Sequence, residues 1–231
     1  MTSLLFQLPE VLSIPVRGEA AAYPIGRIFC VGRNYAAHAE EMGYEVDREA
    51  PFYFTKSAST AIFTGATSAY PLGTENYHYE MELALVIGQE VTRGTREQAA
   101  DAIYGYCCAL DMTRRDLQLK ERVKQRPWDL GKDVEQSAVF STITKAAEFN
   151  PVDQRIHLSL NGEIKQDSNL GLLVHKVADI VADLSRYYHL RPGDVILTGT
   201  PEGVGPVVAG DVITGGIDGL DPISLTIGAA I

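Results

Sequence analysis

The strongest periodic signal in the chain is at residues 80–88, Glu-Met-Glu-Leu-Ala-Leu-Val-Ile-Gly. A two-residue repeat puts Met81, Leu83, Leu85 and Ile87 on one side of a strand and Glu80, Glu82, Ala84 and Val86 on the other. Both sides become apolar toward the C-terminal end, which predicts a strand covered on two faces. Shorter apolar runs predict strands at 27–32, 52–56, 104–110 and 194–197. Residues 156–160 and 163–166 flank Asn161-Gly162, the dipeptide that supplies the positive-φ positions of a type I′ hairpin. Helical patterns are predicted at 34–42, stopping at Gly43, and at 95–103, opened by the capping box Thr95 to Gln98. Two more lie at 113–124, closed by Pro127, and at 176–190. The tail, 211–227, alternates short β runs with Gly and Asp turns, and no segment repeats. The fold class predicted is α+β, mostly β, with mixed pairing, few short helices and long loops. Residues 1–24 read as an N-terminal lead-in segment and 25–231 as a single domain.

Composition narrows the classes. At 231 residues, with 45% hydrophobic and 22% charged positions, the chain is long enough for a substantial core. Thirty acidic against twenty basic residues give a net charge of −10, so a polyphosphate backbone is repelled and no nucleic-acid partner is expected. The apolar N-terminal stretch is interrupted by Gln7, Pro9, Glu10, Pro15 and Arg17 and lacks a basic start, so neither a signal peptide nor a membrane span is expected. Cys30, Cys107 and Cys108 are odd in number with an adjacent pair, a poor disulfide framework and no zinc spacing. A reduced, cytoplasmic setting is the expectation.

Three constellations carry candidate chemistry. Glu80 and Glu82 point to the same side of their strand, and Asp111 closes the apolar run that precedes it. Grouped and buried, three carboxylates without Cys or His call for a hard cation, Mg²⁺ or Mn²⁺. Solvated glutamates with Asp111 capping the next helix fit the same spacing. His38 and Glu41, at i and i+3 of a helix, can form a carboxylate-oriented imidazole able to take a proton from water, or can be part of a solvated acidic face. Lys132 follows Pro127 in what reads as a loop, from which it could deliver a cation to a bound oxyanion. The glycine-rich turn at 198–205, Thr-Gly-Thr-Pro-Glu-Gly-Val-Gly, could offer backbone N–H groups to an oxyanion, but it lacks the Lys of a P-loop. No Gly-x-Ser-x-Gly occurs.

The order of these motifs is more specific than any one of them. Gly32-Arg33-Asn34-Tyr35 with His38 and Glu41-Met42 comes first, followed by His78-Tyr79-Glu80-Met81-Glu82-Leu83 and Leu110-Asp111-Met112-Thr113-Arg114-Arg115-Asp116. Pro127-Trp128 to Lys132, Leu197 to Pro201, and Gly203-Val204-Gly205 complete the series. Over about residues 25–227 this series resembles the fumarylacetoacetate hydrolase family, in particular its compact bacterial branch of fumarylpyruvate hydrolases and other acylpyruvases. The resemblance implies a rolled mixed β-sheet, a homodimer, and one divalent metal per subunit held by Glu80, Glu82 and Asp111. It further implies that His38 and Glu41 activate water and that Lys132 is catalytic. Arg33, Arg115, Gln118 and Thr200 fall at substrate-binding positions, where Arg115 and Gln118 fit supporting roles equally. The family often has His at position 79 and Phe or a similar apolar residue at 134, where this chain has Tyr79 and Val134.

The activity implied is hydrolysis of a carbon–carbon bond in an acylpyruvate, with 3-fumarylpyruvate giving fumarate and pyruvate in gentisate-type aromatic catabolism. Arg33, Lys56, Arg115 and Arg126 are candidates for gripping a second carboxylate. Decarboxylation or isomerisation of oxaloacetate or another 2-oxo acid stands as the alternative on the same metal site. A non-catalytic metal-stabilised binding module is the remote one, and the His38–Glu41 pair speaks against it.

Overall fold

The computed structural model describes residues 5–6, 9–43 and 48–230. Residues 1–4 and 7–8 of the lead-in segment, and residues 44–47 and 231 of the predicted domain, lie outside the described residues. A mixed sheet forms the centre, in the order Phe52–Lys56, Arg27–Gly32, Asp194–Leu197, Met81–Ile87, Ile103–Asp111, Ala138–Phe140 and Ala61–Phe63, and Thr144–Lys145 pairs with Ile103–Asp111. Two neighbours run parallel, Asp194–Leu197 with Arg27–Gly32 and Ala138–Phe140 with Ala61–Phe63; the others are antiparallel. The chain turns at Gly65 (φ +83°) out of this sheet into Ala66–Tyr70, the edge of a second sheet. That sheet continues through Ile223–Ala230, Val212–Ile217, Arg155–Leu160 and Glu163–Asn169. A small third sheet joins Thr113–Arg114, Tyr77–Tyr79 and Gly205–Val207.

The alternation at 80–88 has the predicted outcome. Met81, Leu83, Leu85 and Ile87 pack into a core with Leu158, Ile213 and Leu225 of the second sheet and with Val177, Ile180, Val181 and Leu184 of the helix Val177–Leu184. Ala84 and Val86 enter a separate core on the opposite face, with Cys30, Cys107, Ala109 and Leu197. Ile14, Val16 and Tyr23 of the lead-in cover that second core together with Ile25, while Leu5, Phe6 and Val11 are exposed. At about 25 cal/mol per Å² of apolar area removed from water, a strand buried on both faces is fixed in register, since a one-residue slip would exchange the two cores and bury its carboxylates in the wrong one.

The hairpin forms as predicted, with Asn161 at φ +52° and Gly162 at φ +84°. The capping box is present, but its helix is Arg96–Asp101 and Ile103 already belongs to the next strand. Three expectations are corrected. The helix expected from residue 113 begins at Arg115, because Thr113 and Arg114 pair with His78 and Tyr77. The one expected to reach residue 190 ends at Leu184, where Ser185 caps Ala182 through its hydroxyl and Tyr187–Leu190 turn back to bond Val91. Lys132 is not in an open loop: it is the last residue of a single-turn helix, Asp129–Lys132.

Candidate functional site

Sheet register builds the carboxylate cluster. Met81 pairs with Leu110 and Glu82 with Ala109, and the Asp111 N–H donates to the Glu80 carbonyl at 2.9 Å. Glu80 and Asp111 therefore sit opposite one another, with Glu82 on the same face two residues along. Carboxylate oxygens of all three lie within 4.8 Å of one another, and all three side chains are buried. Helix Asp129–Lys132 brings in the Lys132 ammonium at 2.6 Å from Glu80 Oε2 and 2.6 Å from Asp111 Oδ2. Gly131, one residue earlier, is required by packing, since a Cβ there would lie 2.7 Å from the Gln118 side chain and 2.9 Å from its backbone. Arg115, on the first turn of Arg115–Val123, donates to Glu80 Oε1 and to Gln118 Oε1. Lys56 is sealed behind the cluster, 2.8 Å from Asp111 Oδ1 and bonded to the Met112 and Lys132 carbonyls. Lys56 is thereby removed from the residues that could grip a substrate carboxylate, and the Arg115 guanidinium is engaged with Glu80.

These contacts set the charges. Burial alone would push the Glu80 carboxyl up, but Lys132 and then Arg115 outweigh it and hold Glu80 well below the usual carboxylate range. Glu82 is raised well above that range by burial, then by Asp111 and Glu80; Lys132 and the Gly199 N–H, 2.6 Å away, pull it down without offsetting this. Burial opposes the Lys132 charge, yet Asp111 and Glu80 raise its affinity for the proton. His78 is pushed down to about 4 by burial and then by Arg115.

The donor set suits a divalent cation. All three groups are oxygen ligands, Asp111 Oδ1 is buried without an aligned hydrogen bond, and Glu82 carries no cationic partner. An all-carboxylate trio of this kind matches Mn²⁺ or Mg²⁺ and not zinc.

The remaining predicted residues converge on the same cleft. His38, on the helix Ala36–Glu41, is buried, with Nδ1 3.1 Å from Glu41 Oε2. Burial works against ionised Glu41, but its hydrogen bonds from His38 and from the Gly203 N–H (3.1 Å) hold its carboxyl below the usual range. The cleft is lined by Arg33, His38, Glu80, Glu82, Arg115, Gln118, Lys132, Gly199 and Thr200, and its free space is about 30 Å³, enough for one or two waters. A basin of about 630 Å³ adjoins it across Arg33, Phe54 and Trp128, and Phe52, Tyr188, Arg122 and Arg126 line its far side. Arg33 stands between the two at φ +59°, with its guanidinium 5.4 Å from the Phe52 ring centre and 5.7 Å from that of Trp128. A non-glycine residue in that region costs about 1 kcal/mol or more and marks a built position.

The glycine-rich turn differs from expectation. Its Gly199 and Gly203 N–H groups are used on Glu82 and Glu41, the protein's own carboxylates. Asn34 anchors the start of the turn, donating to the Thr198 carbonyl at 2.8 Å while accepting from the His175 N–H. Among the described residues, no helix is long and apolar enough to cross a membrane.

The family model for the C-terminal region of fumarylacetoacetate hydrolase matches residues 27–227. A fumarylpyruvate hydrolase from a Ralstonia species is 55% identical over 82% of this chain and all of its own length. An oxaloacetate tautomerase of Escherichia coli is 38% identical, covering 88% of this chain and 93% of its own. The crystal structure of fumarylpyruvate hydrolase from Pseudomonas aeruginosa, in complex with Mn²⁺ and pyruvate, superposes with a TM-score of 0.94 at 42% identity, covering 98% of this chain and all of that one.

Proposed function

The chain belongs to the fumarylacetoacetate hydrolase family, and from that premise we propose that it cleaves the carbon–carbon bond of an acylpyruvate, 3-fumarylpyruvate before others, to give fumarate and pyruvate. The observation that carries this reading is that His38, paired with Glu41, lines the same cleft as Glu80 and Glu82 of the buried trio. The 55% identity with the Ralstonia hydrolase supports the substrate.

A divalent cation held by Glu80, Glu82 and Asp111 supplies Lewis acidity to the 2-oxo acid end of the substrate. His38, with Nδ1 engaged by Glu41, has Nε2 left to take a proton from water. The hydroxide adds to the distal carbonyl, the bond to the pyruvyl methylene breaks, and that carbon takes up a proton, so one water is consumed per cleavage. Lys132 uses two of its three N–H groups on Glu80 and Asp111 and has the third for the oxyanion. Thr200, on the cleft wall, adds its hydroxyl. Arg33 and, beyond it, Arg126 are positioned for the carboxylate at the far end of a fumaryl arm that extends into the aromatic basin.

The same reading takes residues 25–231 as one catalytic domain, working as a homodimer in the cytoplasm on small 2-oxo acids of aromatic catabolism, with Mg²⁺ serving as well as Mn²⁺. The test is pyruvate release from fumarylpyruvate, acetylpyruvate and oxaloacetate with Mg²⁺, Mn²⁺ or EDTA, alongside gel filtration. EDTA-sensitive cleavage fastest on fumarylpyruvate, with the preference lost in Arg33→Met, supports it. Turnover of oxaloacetate alone transfers the assignment to the decarboxylase or tautomerase alternative, which the 38% relative represents.

A further inference from the structure

We propose that Gln166, a residue that bonds to no side chain of the carboxylate trio and does not itself line the cleft, is the positioning residue that locks the glycine-rich turn onto the metal-carrying strand and sets the Thr200 hydroxyl as a donor.

Gln166 lies on the strand Glu163–Asn169 and is fully buried, among neighbours that are exposed or half-exposed. Its amide works in two directions. Oε1 accepts from the Met81 N–H at 3.0 Å, and Met81 is the residue between Glu80 and Glu82. Nε2 donates to Thr200 Oγ1 at 2.9 Å and to the Pro201 carbonyl at 2.8 Å. One side chain thus joins the backbone of the metal ligands to the middle of the turn whose ends hold Glu82, through Gly199, and Glu41, through Gly203. With its oxygen receiving the Gln166 amide, the Thr200 hydroxyl has its own proton left to give, and Thr200 lines the cleft.

Two independent features hold Gln166 in this place. The hairpin register shifts so that Leu158 pairs with Gln166 and Ser159 with Ile164, leaving Lys165 as the extra residue of a β-bulge. Bulges of this kind re-aim the following side chain and concentrate beside active sites. The turn is seated directly on that bulge: Gly203, at φ +90°, lies so close that a Cβ there would be 2.0 Å from the Lys165 carbonyl. An apolar side chain would fill the space of Gln166 but could not bond both partners.

This role rests on the hydrolase reading for its kinetic part only, so the experiment has a readout that needs no substrate. Mn²⁺ affinity is measured from the free-ion electron paramagnetic resonance signal for wild type and Gln166→Met, and kcat on fumarylpyruvate at saturating Mn²⁺ for both, for Thr200→Val and for the double variant. Gln166→Met is expected to bind Mn²⁺ about tenfold more weakly and to lose about tenfold to a hundredfold in kcat, the range for groups that orient ligands without touching the metal. In the Thr200→Val background the further loss in kcat is expected to shrink to less than about threefold, because both changes act through one contact. Wild-type Mn²⁺ affinity in Gln166→Met, or kcat losses that multiply in full, overturns the proposal. If Gln166→Met does not fold, Gln166→Asn, which keeps the amide but is too short to span both partners, takes its place in the same assays. Failure of both to fold makes the residue a determinant of the fold and also overturns the proposal. A wild-type protein that binds Mn²⁺ but does not cleave fumarylpyruvate refutes the hydrolase reading and leaves the Mn²⁺ comparison to decide the role of Gln166.

Discussion

Replacing Lys132 with methionine, a side chain of similar length without the charge, should make the stability of the protein depend on metal. The Lys132 ammonium is buried and lies 2.6 Å from both Glu80 and Asp111. Removing one partner of a buried ion pair costs about 3–5 kcal/mol, because the remaining charge is left uncompensated. Here two carboxylates lose a partner at once, though Arg115 still serves Glu80 and Lys56 still faces Asp111, so the middle of that range applies. For a chain of this length each kcal/mol moves Tm by about 2–4 °C, which places the Lys132→Met midpoint about 8–16 °C below wild type in EDTA. A divalent cation on the same carboxylates restores the missing positive charge, so with saturating Mn²⁺ the gap should close to a few degrees. Wild type, already compensated by Lys132, Lys56 and Arg115, should respond to EDTA much less. Circular-dichroism melts of the two proteins with Mn²⁺ and with EDTA give the four midpoints. An equal deficit in both media, or no deficit in EDTA, would refute the account of Lys132 as the cation that compensates Glu80 and Asp111.

Other outcomes follow from the same geometry. His38→Ala should lower kcat by about a hundredfold to ten-thousandfold while leaving Mn²⁺ binding within a few fold of wild type, checked by steady-state kinetics and calorimetry; a matching loss of metal affinity would remove His38 from the role of base. Gly203→Ala must push the turn off the Lys165 carbonyl and break the N–H bond to Glu41, a charge-assisted bond of about 1.5–3 kcal/mol, so kcat/KM should fall about tenfold to a hundredfold. His78 has its folded pKa depressed to about 4, below its unfolded value, so the unfolded chain binds the extra proton and stability should decline as pH falls from the unfolded value toward 4. Urea midpoints across that window with Mn²⁺ present should decline less steeply for His78→Gln, and an unchanged slope would assign the acid loss elsewhere.

How much of this was legible beforehand depended on whether the signal was local. The 80–88 alternation, the Asn161-Gly162 turn and the Thr95 capping box are written in neighbouring residues, and each formed. Ala61–Phe63 and Ala66–Tyr70 were not anticipated, since small and polar residues in short runs become strands only by lying parallel to Ala138–Phe140 and Ile223–Ala230, far away in sequence. The carboxylate trio showed as residue types and spacing, but its burial needed the register between Met81–Ile87 and Ile103–Asp111. Lys56 was misread because nothing in Phe52–Lys56 distinguishes a sealed lysine from a solvated one; only the closeness of Asp111 does. Gln166 gave no signal beyond a polar residue in the second strand of a hairpin, because a bulge leaves no trace in composition.

The glycine-rich turn has a bearing on how such a site can change over time. Gly199 is fastened to Glu82, Gly203 to Glu41, and Thr200 and Pro201 to Gln166, so the segment 199–203 has no slack. An insertion or deletion there would displace all of them together and abolish the chemistry instead of redirecting it. The basin beyond Arg33 carries no such obligations: Phe52, Arg126 and Tyr188 line it without bonding to the carboxylates. New acyl groups are therefore reached by altering the basin wall one side chain at a time, with the glycine-rich turn inherited unchanged.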